Sequence, residues 1–283
     1  MQIRKAQRQQ TPLRIALSGA SGSGKTLSSL YLAYGIIGDW SKICVIDTEN
    51  KRADMYSDLG EYNVLNLEAP YSPERYIEAI RTAERAGMAI IILDSISHEW
   101  EGTGGALDLH SKLPDYNTYT AWAKITPRHK AFIEAIIQSP CHVISTLRCK
   151  TEYALELNDK GRQTPKKIGL KAIQREGFDY ENLIYFELSQ EHVATATKDN
   201  TGLFDLNPVK ISIIEGAKIK EWLLKGHSKK EIINLDDIIN NIKNTKNKIE
   251  LDQLIKTLNN DFSFTDQQKI ELNNIYKTLF INL

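Results

Sequence analysis

The chain is poor in cysteine. Its 283 residues include only Cys44, Cys141 and Cys149, at no framework spacing, and two of them sit in strand-like apolar runs where a thiol is a small hydrophobe. A disulfide scaffold is therefore excluded, and a reduced, cytoplasmic setting is expected. Net charge is missing as well, since 36 Lys and Arg balance 36 Asp and Glu. That balance argues against a basic nucleic-acid coat or a membrane-surface protein, and leaves room only for a local nucleic-acid patch. No apolar run is longer than residues 88–93, too short to cross a bilayer. The basic start, residues 1–14, leads into too few apolar residues for a signal-peptide core, so no membrane partner is expected. The six histidines show no ligand pair, and no structural zinc is expected.

What the chain does have is alternation. Short apolar runs separated by helical patterns fill its first two-thirds, the mark of a mostly parallel sheet flanked by helices, an α/β fold. Strands are expected over 13–17, 43–46, 88–93 and 141–145. Helices are expected after Lys25, where Leu27, Leu30, Tyr31, Tyr34 and Ile37 recur at helical spacing, from Ser72-Pro73 to Gly87, and from Thr126-Pro127. Farther on, 151–157 and 163–170 read as a hairpin around Asn158-Asp159-Lys160-Gly161, and 182–188 with 192–197 as a second. A last strand over 209–214 and a short helix over 217–224 follow. Composition then shifts: from Ser228 onward there are ten Asn, eight Lys and eight acidic residues but no Gly, Pro or Arg. The expected division is a core over 1–227 and a helical tail or interaction module over 228–283. Leu251, Leu254, Ile255, Leu258, Ile270, Ile275 and Leu279 mark two or three small helices in that tail.

The stretch Gly19-Ala20-Ser21-Gly22-Ser23-Gly24-Lys25-Thr26 fits G-x-x-x-x-G-K-[ST] between a strand and a helix. Glycines at positive φ let successive N–H groups wrap a phosphate chain. Lys25 would reach the terminal phosphates and Thr26 would place its hydroxyl on Mg²⁺, with the helix start adding its positive dipole end. The aspartate that closes a neighbouring buried strand, Asp94 after Ile90-Ile91-Ile92-Leu93, is the expected partner of the metal. For orienting water, Glu49 competes with Glu99 and Glu101.

Taken together, GASGSGKT, VIDTEN, IIILDSIS and VISTLRCK resemble the RecA-like ATPases. YSPERYIEAI, DSISHEWEG, SPCHVISTLRCKTEY and ATKDNTGLF are similar to the phage ATP-binding proteins classed with the Sak-type RecA-like single-strand annealing proteins. The resemblance spans residues 13–204 and implies a RecA-like P-loop core binding ATP and Mg²⁺. It favours Glu49 as the catalytic glutamate, since that group follows the second core strand in such proteins. It also implies a sensor at the end of the fourth strand, on Thr146, Arg148 and Lys150, and a cation, Lys198, presented to a neighbouring copy's nucleotide. By the same resemblance the loops 97–117 and 147–176 face DNA. The second carries eight Lys or Arg against four acids, with Lys150, Lys160, Arg162, Lys166, Lys167 and Lys171 as candidate phosphate contacts and Tyr153 for base stacking. Trp100 in the first loop is a further stacking candidate.

The expected function is that of an ATP-dependent protein that binds single-stranded DNA and promotes annealing or recombination. It would assemble as a ring or filament in the cytoplasm of a bacterial host, and its tail would meet a single-strand-binding or replication protein. A helicase loader acting through a protein partner is the competing reading. A small-molecule phosphotransferase ranks last, because the second half offers no arginine-rich lid.

Overall fold

The computed structural model describes residues 11–114, 118–157, 163–205, 207–225, 247, 274–278 and 280, with the side chains of 118–119, 153–157 and 163–168 outside that description. The chain divides into two compact units, Met1–Leu223 and Leu224–Leu283. In the second, residues 274–278 are helical, and the rings of Tyr276 and Phe280 lie 5.3 Å apart.

The first unit is built on an eight-stranded sheet, mostly parallel, as the alternating pattern requires. Its strands are β1 (Arg14–Gly19), β2 (Ile43–Asp47), β3 (Asn63–Asn66), β4 (Ile90–Asp94), β5 (His142–Leu157), β6 (Gln163–Ala172), β7 (Ile184–Leu188) and β8 (Ala194–Asp199). The order across the sheet is β3-β2-β4-β5-β1-β7-β8, with β6 joined to β5 alone. Strands β1, β2 and β4 are buried along their whole length, which is why they read as unbroken apolar runs rather than as alternating ones. The helices are α1 (Lys25–Ile37), α2 (Pro73–Arg85), α3 (Ser97–Glu101), α4 (Ala106–Ser111), α5 (Thr118–Gln138) and α6 (Ile213–Lys225). One core cluster centres on β1, α1, β7 and α6, including Leu17, Leu30, Phe186 and Ile219. The other centres on α2, α5, β4 and β5, including Tyr76, Ile80, Phe132 and Val143.

The loop expected over 97–117 holds the helices α3 and α4, the strands expected over 141–145 and 151–157 are the single strand β5, and three further elements depart from the sequence reading. Helix α5 does not start at Thr126-Pro127 but runs through it, with Pro127 inside. Ala121, Ile125, His129, Phe132 and Ile136 are buried on one stripe either side of the proline, whose own ring is exposed. Continuous packing against α2 thus outweighs the missing N–H bond. An ion pair from Arg128 Nε to Glu74 Oε1, 2.6 Å, ties the two helices on their outer side. Second, the β-branched run 209–214 is no strand. It makes one bridge, Val209 with Ala194, and turns helical at Ile213. Ser212 and Glu215 explain the turn: the Ser212 N–H donates to Glu215 Oε2 at 2.9 Å and the Ile214 N–H donates to Ser212 Oγ at 3.2 Å, a capping box written as S-x-x-E. Third, β3 was absent from the expected set, because its polar–apolar–apolar–polar sequence, Asn63 to Asn66, is that of a half-exposed edge.

Two close approaches fix the frame. A Cβ on Gly216 would lie 2.5 Å from Leu32 O and 2.8 Å from Gly35 Cα, so α6 crosses α1 backbone against backbone. At the start of β1, the buried Arg14 guanidinium donates to Cys141 O at 2.9 Å, to Ile137 O at 2.8 Å and to Ser139 O, satisfying carbonyls at the end of α5 that helix geometry leaves open. Burial lowers the Arg14 pKa to about 10.

Candidate functional site

The loop between β1 and α1 turns at Gly22, φ +80°, and at Gly24, φ +88°, a region where any side chain is strained. The turn opens onto a cleft of ≈ 730 Å³ whose lining includes Gly22, Lys25, Thr26, Glu49, Asp94 and Arg148. Strand register brings these groups together. Asp47 and Asp94 are Cα partners at the ends of β2 and β4, and Ser18 and Gly19 face Leu147 and Arg148 across β1 and β5. The carboxyl ends of β1, β2 and β4 therefore meet the middle of β5 at the loop, the place where open α/β sheets bind ligands.

Asp94 is buried and holds two hydroxyls. Thr26 Oγ1 donates to its Oδ2 at 2.6 Å, and Thr146 Oγ1 donates to its Oδ1. Burial raises the Asp94 pKa, with the two threonine bonds opposing the rise. The peptide bond that follows, Asp94–Ser95, is cis. Lys25 Nζ donates to Gly19 O at 2.9 Å and to Ala20 O at 2.8 Å. Burial pushes its ammonium below the usual lysine value, while Asp94 is the strongest charge resisting that fall.

Glu49 lies just beyond β2, positioned by Asp47, whose Oδ2 accepts the Ala53 N–H at 2.9 Å and whose Oδ1 accepts the Glu49 N–H. Its carboxylate is gripped by Arg148, with Arg148 Nε donating to Glu49 Oε1 at 2.6 Å and Nη2 donating to Oε2. Ser95 Oγ donates to the same Oε1 at 3.2 Å. Burial alone would raise the Glu49 pKa, but the Arg148 bonds and charge outweigh it and hold the carboxyl low. Arg148 is itself raised, first by its bond to Glu49. Beneath the pair, Thr48 Oγ1 accepts the Ser95 N–H at 2.9 Å and lies 2.7 Å from His98 Nδ1. Neither Thr48 nor His98 was singled out by the sequence, because neither belongs to a spaced motif.

The remaining candidates separate. Glu101 also lines the cleft. Glu99 does not; it is fully buried, with both oxygens 3.1 Å from His129 Nδ1, so it is an internal partner of α5. Lys198 lies on β8 and is held by the turn 178–181, its Nζ donating to Asp179 O at 3.0 Å and Tyr180 O at 2.8 Å. It is not part of the cleft lining of its own chain. Lys150 is exposed on β5, and Lys171 pairs with Glu176 at 2.7 Å and Glu152 at 3.8 Å. Lys160 and Arg162 fall outside the described residues, as do the side chains of Tyr153, Lys166 and Lys167.

The donor set suits a magnesium-bound triphosphate. The converging Thr26 hydroxyl and Asp94 carboxyl offer hard oxygen atoms to Mg²⁺, Lys25 and Arg148 offer charge, and the buried Ser23 Oγ at the loop's centre has no hydrogen-bond partner of its own. Among the described residues no group of three or more His, Cys, Asp and Glu is arranged to hold a metal ion. No described helix is long and apolar enough to cross a membrane.

No curated protein matches the chain. A family model described as an AAA domain matches residues 11–184, a span that takes in the glycine loop, Glu49, Asp94, Thr146 and Arg148. With well over half of its length covered, the chain belongs to this AAA-domain family of P-loop ATPases.

Proposed function

We propose that this ATPase binds single-stranded DNA and uses Mg²⁺-dependent ATP hydrolysis to promote annealing or recombination, the nucleotide lying between copies of the chain. The observation that carries the reading is the continuity of β5. Within its 16 residues it passes from Thr146, bonded to Asp94, and Arg148, bonded to Glu49, out to Lys150 and the pairing with β6. A ligand on the outer part of that strand acts on the group that holds Glu49.

A second cavity, of ≈ 840 Å³, supports the DNA reading. Its lining includes Trp100, Trp122, Lys150, Lys171 and Arg175, with the carboxylates Glu101, Glu152 and Glu176 between them, and the Trp100 and Trp122 rings stack 5.6 Å apart. Aromatic surface beside cations is what a single strand uses without sequence preference. Glu101 and Ile173 line both cavities, so the two sites share a boundary.

In this reading Lys25 binds the terminal phosphates, and Thr26 and Asp94 hold Mg²⁺, which when bound neutralises charge on the phosphate oxygens. Glu49 orients and takes a proton from water once Arg148 releases it. Lys198 of a neighbouring copy adds the stabilising cation, so isolated chains hydrolyse slowly.

Steady-state ATP turnover with and without oligo-dT, together with filter binding at low salt, tests the reading. Stimulated turnover and salt-sensitive strand binding are expected. Unchanged turnover with no retained strand at low salt overturns the DNA assignment and turns attention to a protein partner.

A further inference from the structure

Strand β1 has two neighbours. On the β5 side stand Asp94, Glu49 and Arg148; on the other side β7 pairs with β1 in parallel, and the turn after it reaches the phosphate loop. The turn is firmly built: the Ser189 N–H donates to Val193 O at 2.8 Å, the His192 N–H to Ser189 O at 3.2 Å, and the Glu191 N–H to Ser189 Oγ at 3.2 Å. Gln190 Nε2 donates to Ser21 O at 3.4 Å. At its tip His192 lines the cleft, beside Lys210 and Ile211 from the segment that bridges to β8.

Two facts single out the imidazole. His192 has φ +63°, left-handed backbone that glycine adopts freely and histidine does not. Its ring also fills the space a side chain on Gly24 would need, since a Cβ there would lie 3.1 Å from His192 Nδ1. The final glycine of the loop is thus fixed by its own φ and by the ring against it. A turn needing only left-handed backbone would be served better by glycine, and strained backbone of this kind concentrates where a side chain must be aimed at a ligand.

We infer that His192 is a nucleotide-binding residue, its imidazole contacting the ribose and first phosphate, a part of the nucleotide present in both ATP and ADP. The inference rests on the nucleotide reading of the cleft. The terminal phosphate belongs to the Lys25, Glu49 and Arg148 side, and His192 stands across β1 from the last two. The β7–β8 turn is then a wall of the site, and the phosphate loop and α1 make only part of it.

The test is calorimetric titration of the full chain with Mg-ATP and Mg-ADP, alongside thermal unfolding without nucleotide, for wild type, His192→Gly, His192→Asn and His192→Ala. Loss of a hydrogen bond to a charged group predicts that His192→Gly raises Kd about tenfold, by the same factor for both nucleotides, with an unfolding midpoint no lower than wild type. Asn tolerates the backbone and keeps an N–H donor, so His192→Asn should recover most of the affinity. Wild-type affinity in His192→Gly, or a loss confined to ATP, overturns the inference. So does a loss of affinity that tracks a loss of stability and persists in His192→Asn. If His192→Gly does not fold, the comparison passes to Asn against Ala: tighter binding by Asn at equal unfolding midpoints supports it, and equal binding overturns it. A wild-type chain giving no heat with Mg-ATP defeats the nucleotide reading itself, a result distinct from any of these.

Discussion

Strand β5 is two strands in character. Its inner part, through Val143, Ile144, Thr146 and Leu147, is buried and flanked by β4 and β1 in parallel. Its outer part, from Cys149 onward, pairs only with β6, antiparallel and with a register shift between Glu152 and Tyr153. The inner part is enclosed on both edges, and there Thr146 is held against Asp94. The outer part has solvent on it and a single neighbour. One covalent chain therefore joins the close-packed cluster around Asp94 to a stretch held by a single paired neighbour.

The sharpest way to break that comparison is at Glu49, the point where the inner part reaches chemistry. Glu49→Gln should retain Mg-ATP in equilibrium binding and lose turnover by about 10²–10⁴-fold, the range for a removed general base; if Glu101→Gln alone stops turnover while Glu49→Gln does not, the role passes to Glu101. Next in size is packing. Ile144→Ala removes buried apolar volume on the inner part and should cost about 2–5 kcal/mol in denaturant melts, whereas Thr151→Ala on the outer part should stay within about 0.5 kcal/mol. Equal costs would mean that the two parts are equally packed. A smaller effect is expected at Lys150. Lys150→Ala should weaken single-strand binding across sequences and flatten the log–log salt slope by about one unit, leaving turnover without DNA unchanged.

The smallest effect lies away from β5 and serves as its control. Arg128 holds the Glu74 carboxyl down to a pKa of about 2 from 4.5. Because the folded value is depressed, the pair's stabilisation is present above pH 4.5 and is lost as pH falls towards about 2. Both side chains are more than a third exposed, so screening limits it to about 0–1 kcal/mol. Acid titrations of Arg128→Ala should show a shallower loss of stability than wild type across that window, and an unchanged curve would remove the pair from the account.

Much of the site was legible because it lies on inner, buried segments. A glycine loop between an apolar strand and a helical pattern, and Asp94 after four apolar residues, are local signals, and the structure puts Lys25, Thr26 and Asp94 around one cleft. The partners were not local. That Arg148 closes on Glu49 depends on β5 and β2 lying on either side of β4, and 99 residues separate the two. His192 had no signal, since a lone histidine at the head of the expected strand 192–197 looks like any other, and the strand itself starts only at Ala194. Among the elements, Pro127 misled because a helix start was read where a proline inside the helix, its ring exposed, was being tolerated. Residues 209–214 misled because β-branched side chains outvoted a Ser212–Glu215 cap that was plain in the sequence.

The crossing of Gly35 over Gly216 has a mechanical corollary. With no side chains between them to slide or bend, the two backbones meet directly, so a shift of the helix that starts at Lys25 would press on the helix that starts at Ile213. A methyl group at either glycine would act as a shim, prising the two helices apart at the end of α1 remote from the phosphate loop.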